Sequence, residues 1–296
     1  MKKDDNKTCY LCGKTEFFKR PGKIRDNEQL FVLECRSCGL VFLSSNSHIN
    51  KEFYKNSNMH EGDKSFLNVE YWSKVLDWDD ERRFRFIKLL IQNKNLLDFG
   101  CGVGGFLLKA KKIAQEVTGI EIEKTLQTHF NESGLSVFES LSDLELQENR
   151  FFDVITLFHV LEHIPDPRTI LVELHPFLKK EGQIIIEVPH AHDALLTFYN
   201  CKPFSNFAYW SCHLFLFSVS TLKILAEQAG FCVNYVKQVQ RYPLSNHLHW
   251  LSEGKPGGHE KWSFLDSEVL HDAYEKQLSS IGHCDTLLAS FSKPPN

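Results

Sequence analysis

No apolar run in this sequence approaches the roughly 18 residues that a membrane-crossing helix needs, and the amino-terminal MKKDDNKTCY lacks the apolar stretch of a secretory signal. The chain is therefore expected in the cytoplasm, with no membrane partner. A basic excess is missing too. Thirty-four Lys and Arg stand against 38 Asp and Glu, a formal net charge of −4, which leaves no overall field for gathering nucleic acid or anionic lipid. Internal repeats and low-complexity segments are also lacking, so nothing argues for a solenoid or a disordered array. What remains is an ordinary globular composition, 42% hydrophobic and 24% charged over 296 residues. That length exceeds the roughly 100–200 residues of one domain and predicts a main domain plus something smaller.

Nine cysteines is an odd number, and four of them fall into two C-x-x-C pairs, Cys9/Cys12 and Cys35/Cys38. That is the spacing of metal knuckles in a reducing compartment. In CYLCG and CRSCG a glycine follows each second cysteine and lets the chain turn back. Four thiolates and no open position predict a structural Zn²⁺. The intervening residues suffice for a hairpin, so 1–47 reads as a zinc ribbon. The other cysteines, Cys101, Cys201, Cys212, Cys232 and Cys284, lie in apolar surroundings and are expected to be buried as small hydrophobes.

Residues 48–95 read as a helical linker or cap, with Ile87, Leu90 and Ile91, near Phe84 and Phe86, as its core-facing stripe. Tyr71, Trp72 and Trp78 could cover a ligand, but aromatics at such spacing are expected in the core. From 96 onward strand and helix patterns alternate, the signature of an α/β fold with a parallel sheet and helices on both faces. NLLDFG, EVTGIEI, LSVFE, FDVITLF and QIIIEVP supply the strands, RTILVELHPFLKK and VSTLKILAEQAG two of the helices, and FCVNYVKQV and DTLLASFSK two late strands.

Gly100, Gly102, Gly104 and Gly105 follow the first of these strands directly. A strand turning straight into a helix aims backbone amides at whatever lies above the sheet, and glycines clear that space. Glu121 closes the next strand about twenty residues later, where a carboxylate can accept from ribose hydroxyls. The ligand is thus expected to be an adenosine compound. LLDFGCGVGG, VTGIEIE and FDVITLFHVLEHIPDP, in that order, resemble the class I S-adenosylmethionine-dependent methyltransferases, over about 96–240 and again near 285–292. The resemblance implies a Rossmann-like seven-stranded sheet and S-adenosylmethionine as cofactor. An NAD-dependent dehydrogenase, the rival for the glycine loop alone, leaves HVLEHIPDP unexplained.

Carried onto this sequence, the resemblance implies that Asp98 organises the methionine end of the cofactor and that Gly100, Cys101 and Gly102 line its ribose and methionine. Glu121 would hold the ribose diol, Ile122 would pack on the adenine, and the carbonyl of Phe158 would face the methionine ammonium. Where many relatives carry an acid that reads the adenine amino group, this chain has Leu141, which leaves that contact to the backbone or to Glu139. Methyl transfer to a hydroxyl or amine needs a proton acceptor, and histidine has the matching pKa. His159, His163, His190, His192 and His213 fall near the carboxyl ends of strands. His213, ahead of LFLFSVSTLKILAEQAGF, is the first choice as base, with His163 and His190 as the other candidates. Glu162 and His163 also match residues associated with a divalent ion in the ubiquinone-biosynthesis O-methyltransferases. His159 replaces an acid there, and imidazole is a poorer Mg²⁺ partner than carboxylate, so a catalytic metal is not the expectation.

Two insertions, at about 190–213 and 241–283, are expected to build the substrate pocket. In the second, Arg241, Tyr242, Asn246, His247 and His249 could grip a sugar or phosphate, with Lys255, Gly257, Gly258 and His259 as an anion cradle; the same residues could equally form a surface hairpin or a homodimer contact. A four-cysteine module ahead of such a core also resembles deoxysugar and surface-polysaccharide methyltransferases. O-methylation of a sugar or nucleotide-linked sugar is therefore the leading expectation. An RNA methyltransferase, gripping through Lys14, Lys19, Arg20, Lys23 and Arg25 of the ribbon, is the alternative. A non-catalytic binding module is the third reading, against which the intact glycines and Glu121 stand.

Overall fold

The structure is a computed structural model and describes residues 7–49, 69–146 and 150–295. The first part of the expected 48–95 linker, residues 50–68, lies outside the described residues. Three short strands, β1 (Phe17–Lys19), β2 (Val32–Cys35) and β3 (Val41–Leu43), form an antiparallel sheet at the amino-terminal end. Gly13 and Gly39 take left-handed φ of +69° and +77°. Each thereby returns its N–H to the carbonyl of the first cysteine of its pair, Cys9 at 2.8 Å and Cys35 at 2.9 Å.

Helix α1 (Val69–Ile91) leads into β4 (Asn95–Phe99), α2 (Gly105–Ala110), β5 (Glu116–Ile120), α3 (Gln127–Glu132) and β6 (Ser136–Phe138). Next come α4 (Leu141–Glu145), β7 (Phe152–Phe158), α5 (Pro167–Leu174) and β8 (Leu178–Pro189). The first insertion carries α6 (Lys202–Ala208); β9 (Phe215–Leu216) follows just beyond it, and then come α7 (Val219–Gln228) and β10 (Cys232–Val239). The second carries α8 (Leu244–Glu253), α9 (Gly258–Lys261) and α10 (Glu268–Ile281), and β11 (Thr286–Ser292) closes the sheet. The helix expected to run to Lys180 stops at Leu174. Its last residues instead open β8, where Lys179 pairs with Asp153 at 2.7 Å.

The main sheet has seven strands in the order β10-β11-β8-β7-β4-β5-β6, parallel except for β11. Alternation along the strands explains why both faces are covered. Leu96, Val154, Ile185 and Leu288 pack with Ile87 of α1 and Phe106 of α2. Their neighbours Leu97, Ile155, Ile184 and Leu287 pack with Leu171 of α5 and Leu222 of α7. The strand order reverses between β4 and β7, and the crevice above their carboxyl ends is where open α/β sheets bind ligands.

β3 pairs antiparallel with β9, so the small sheet borrows its fourth strand from residues far along the chain. Leu40 and Val41 of the amino-terminal module share one apolar core with Phe217 and Leu222 of the main domain. Three expectations about burial are corrected. Cys232 is exposed rather than buried, because β10 is the edge strand. Phe86 is exposed and lies under the Lys237 ammonium at 5.2 Å. Tyr71 and Trp78 are half-exposed, and Trp78 instead stacks on Tyr242, ring centroids 6.3 Å apart. Helix α1 buries charge as well as apolar side chains, Asp79, Asp80 and Arg83 lying inside with Ile87 and Ile91.

Candidate active site

The turn after β4 is held to its neighbour by the N–H groups of Gly100 and Cys101, both donating to the Ile120 carbonyl at 2.8 and 3.0 Å. Gly100, Gly102 and Gly104 all have left-handed φ. A Cβ at Gly100 would strike Val160, whereas Gly102 faces open space with nothing within 4 Å. That open glycine is what a ligand laid along the loop requires. Glu121 accepts from the Gly102 N–H at 2.8 Å and from the Glu123 N–H at 3.0 Å, so its carboxylate is fixed beside the loop. Burial raises its pKa against those amides. Asp98 is buried beneath, accepts from the Thr156 hydroxyl at 2.7 Å, and is pushed by desolvation up to about 7.

The Cys101 thiol is buried and packs over Gly119, which leaves the residue's main chain to the loop. The Leu141 side chain belongs to the core, and Glu139 is paired with Lys124 at 2.9 Å. Ile122 is partly exposed. Phe158 is buried edge-on to Phe106, with the Arg83 guanidinium 5.1 Å from its ring centre.

Helix α1 adds residues that the sequence reading left out. Glu187, near the end of β8, is fully buried. Its Oε1 accepts from Arg82 Nη2 and Arg83 Nε, both at 2.9 Å, and lies 3.3 Å from His159 Nε2. Burial would raise this carboxyl, but Arg83 and the other cations hold it well below the usual range. Asp79 takes both Arg241 Nε, at 2.8 Å, and Arg241 Nη2. A Cβ at Gly105 would collide with the Asp80 carboxylate, so α1 sits directly on the glycine loop. Burial, opposed by Arg83, raises Asp80 to about 6. The signal was present as DDERR in a helix and as one acid inside QIIIEVP.

After β7 the chain makes a tight turn in which His159 adopts φ +55°, an unusual conformation for a residue with a side chain. Its Nδ1 lies 3.1 Å from Glu162, a fully buried carboxylate. Burial works to raise Glu162, yet the His159 hydrogen bond and charge hold it down to about 2. His163 Nδ1 is 3.0 Å from the Cys212 carbonyl, and the His163 and His213 rings are 5.0 Å apart. Burial, then the neighbouring His163, pushes His213 down to about 3. Burial also lowers His190 to about 4, its Nδ1 lying 2.8 Å from the Cys284 carbonyl. Glu162 Oε2 and His213 Nδ1 are buried without hydrogen-bond partners. One ligand atom each from Glu162, His163 and His213 falls within 4.8 Å of the others.

His163, His190 and His213 all line a cavity of about 290 Å³ between the two insertions. Phe204 and Phe207 come from one insertion, and Tyr242, His247 and Trp250 from the other. The expected grip is partly corrected. Arg241 reaches the cavity but is committed to Asp79. Of the anion cradle only His259 lines the cavity; Lys255 is exposed, its carbonyl held 2.7 Å from His249 Nδ1. The basic cluster of the ribbon is also reduced. Arg20 is buried on Glu34 and on the Ala191 carbonyl, and the Arg25 guanidinium stacks 3.9 Å from the Trp210 ring centre.

The four cysteine sulfurs of the module come together. Cys9 Sγ–Cys38 Sγ and Cys12 Sγ–Cys35 Sγ are each 3.5 Å, and all four lie within 4.8 Å. A tetrahedral ion with bonds of about 2.3 Å sets sulfur–sulfur edges of about 3.8 Å, which this cluster fits.

A family model for a methyltransferase domain matches residues 71–236. The chain is 35% identical over 117 residues to a ubiquinone biosynthesis O-methyltransferase of Pseudomonas syringae pv. tomato, covering 37% of this chain and 47% of that protein. It is 29% identical over 161 residues to a protein of the same description from Xanthomonas euvesicatoria, covering 49% and 65% respectively. The chain thus spans between about half and two thirds of the length of these curated relatives. A solved S-adenosylmethionine-dependent methyltransferase from Archaeoglobus fulgidus superposes with a TM-score of 0.53 at 22% identity, over 78% of this chain and 100% of that one. Among the described residues no helix is long and apolar enough to cross a membrane. The solved methyltransferase shares the fold built here, and since the matching family model spans more than half of the sequence, the chain belongs to the methyltransferase-domain family.

Proposed function

We propose that this chain delivers the methyl group to an oxygen of a polar small molecule, a sugar or nucleotide-linked sugar first among the acceptors, with His213 taking the hydroxyl proton. One residue carries this reading: His213, which lines a cavity beside the carboxyl ends of β7 and β8 and whose buried Nδ1 has no hydrogen-bond partner. Burial lowers its pKa to about 3, so the imidazole is neutral at physiological pH, and as a base it would need the proton it takes to be stabilised by the neighbouring Glu162 carboxylate, whose charge works to raise it. The cofactor supplies an already activated methyl group, which leaves alignment and proton removal to the protein. Glu121 would hold the ribose diol and Asp98 the methionine ammonium. The main chain of Gly100–Gly102 would cradle the sugar and methionine, with Phe158 lending its carbonyl, Ile122 flanking the adenine, and the backbone near Leu141 reading its amino group. A cavity of about 290 Å³ lies at the small end of ligand sites and has room for a ring-sized acceptor, from which a nucleotide or a long tail would extend outward. The relatives named for O-methylation support oxygen as the acceptor atom.

Incubation with methyl-labelled cofactor and separate pools of nucleotide-sugars, ortho-diphenols and total RNA should place label in the sugar pool. Label in RNA alone would remove the proposal. His213→Ala is expected to keep affinity for S-adenosylhomocysteine by calorimetry while turnover drops by about 10²-fold or more; unchanged turnover takes His213 out of the role.

A second reading has its own observation, the convergence of Glu162, His163 and His213 with two unpartnered buried atoms. Two imidazoles and one carboxylate suit Zn²⁺, Mn²⁺ or Fe²⁺ better than Mg²⁺. Such an ion would lower the pKa of an acceptor hydroxyl directly. Metal analysis of the purified protein separates the readings: one zinc per chain, lost with Cys38→Ser, is expected of the four-cysteine cluster alone. A second equivalent lost with His213→Ala would favour the metal-assisted reading.

A further inference from the structure

We infer that the four-cysteine module is a positioning device for the active-site wall: Asp26 and Leu43, fixed by the closed cysteine cluster, hold the strap Tyr209–Leu216 and with it His213. The inference rests on His213 facing the acceptor, as proposed above. Contacts from the module flank His213 on both sides. Upstream, the Arg25 N–H donates to the Tyr209 carbonyl at 2.9 Å, and the Arg25 guanidinium covers Trp210. Asp26 accepts from both the N–H and the hydroxyl of Ser211, at 3.0 and 2.6 Å. Downstream, Phe215 and Leu216 pair with Phe42 and Val41.

Leu214 transmits the hold. Its carbonyl accepts from the Leu43 N–H at 3.0 Å, while its own N–H donates to the Glu162 carbonyl at 2.8 Å. One residue thereby bridges the module to the Leu161–His163 turn, which carries the other acid and imidazole of the cavity. Behind His213 the wall is finished by Val32, Phe42 and Leu43 of the module.

Arg25 and Asp26 lie between the two cysteine pairs, in the segment that a bound ion would close. The three strands of the module are only three or four residues long. An element of that size rarely keeps its shape alone; part of its core is shared with the main domain, and the ion would supply the closure of the segment between the two cysteine pairs. Loss of the ion should therefore release the strap while leaving the glycine loop, which is built on β4, β5 and α1, as it is.

Cys212 reports on this directly, since it is 1% exposed within the strap, whereas Cys101 and Cys284 are buried elsewhere in the fold. The full chain, zinc-loaded or stripped with 1,10-phenanthroline, would be treated with iodoacetamide and its modified cysteines located by peptide mass mapping. The loaded protein should protect all three. Stripping, verified by alkylation of Cys9, Cys12, Cys35 and Cys38, should label Cys212 at least tenfold faster. Cys101 and Cys284 should stay protected, and S-adenosylhomocysteine affinity should stay within threefold. Asp26→Ala should retain zinc yet label Cys212 several-fold faster, with Asp26→Asn restoring protection through its carbonyl oxygen. Cys212 still protected after stripping, or in Asp26→Ala, overturns the inference. So does loss of Cys101 protection and cofactor binding together with Cys212, since the module would then only stabilise the whole fold. None of these readouts depends on His213 being the base, so failure of that reading shows separately, in the turnover of His213→Ala.

Discussion

A Glu187→Ala variant is expected to lose about 3–5 kcal/mol of folding stability, because removing one partner of a buried ionic cluster strands the others. Glu187 has no exposed surface, and Arg83 is only 8% exposed. Alanine would leave Arg83 with Asp80, at 3.4 Å, as its remaining ion-pair partner. It would also deprive His159, already in a left-handed conformation, of one of the two carboxylates that hold its ring. The loss should lower the melting temperature by on the order of 10 °C. Glu187→Gln keeps an acceptor oxygen and should cost clearly less. Urea unfolding followed by circular dichroism measures both, and a loss below about 1 kcal/mol for alanine would show that water replaces the carboxylate without penalty. Because the cluster docks α1 onto the glycine loop, the alanine variant should also bind S-adenosylhomocysteine more weakly.

Glu187 shows what could and could not be read in advance. The strands around it were legible because period-two alternation and β-branched runs are local signals, and the glycine loop was legible because strand, turn and helix follow one another without a gap. The acid inside QIIIEVP contradicts a doubly buried strand unless a cation meets it, but its partners Arg82 and Arg83 lie about a hundred residues earlier on a helix whose charges resemble a solvated face. The same distance hid the pairing of β3 with the two-residue β9, which has no pattern of its own. The histidines could be ranked from sequence only by the pattern around them, which put His213 first with His163 and His190 behind it. Burial and partners separate them: His159 is clamped by two carboxylates, while His213 keeps an unpartnered nitrogen.

Cofactor affinity should tighten as pH rises from 5 to 7, by up to about 10²-fold, and level off above. The expectation rests on the proposed pairing of Asp98 with the cofactor's ammonium: desolvation lifts Asp98 to about 7, and it faces Thr156, Asp80, Arg83 and Glu121. A protonated carboxyl cannot pair with the cofactor's ammonium, so each binding event below pH 7 must first release a proton, a factor of about ten per pH unit. Asp80, raised to about 6, loses its charge in the lower part of the window and with it its repulsion of Asp98, which makes the profile shallower there. Thermal unfolding would not isolate this effect, because signs compete there. An acid with a raised folded pKa contributes stability that is complete below its unfolded value of 3.8 and lost as pH climbs through about 7. His190 and His247, depressed to about 4, and His213, to about 3, do the reverse, contributing above 6.5 and losing it as pH falls towards those values. Calorimetric titration with S-adenosylhomocysteine across pH 5–8 reads the cofactor site instead. Asp98→Asn should bind weakly at pH 7.5 with a flattened profile; a wild-type profile already flat would mean that Asp98 is ionised throughout and that another group meets the ammonium.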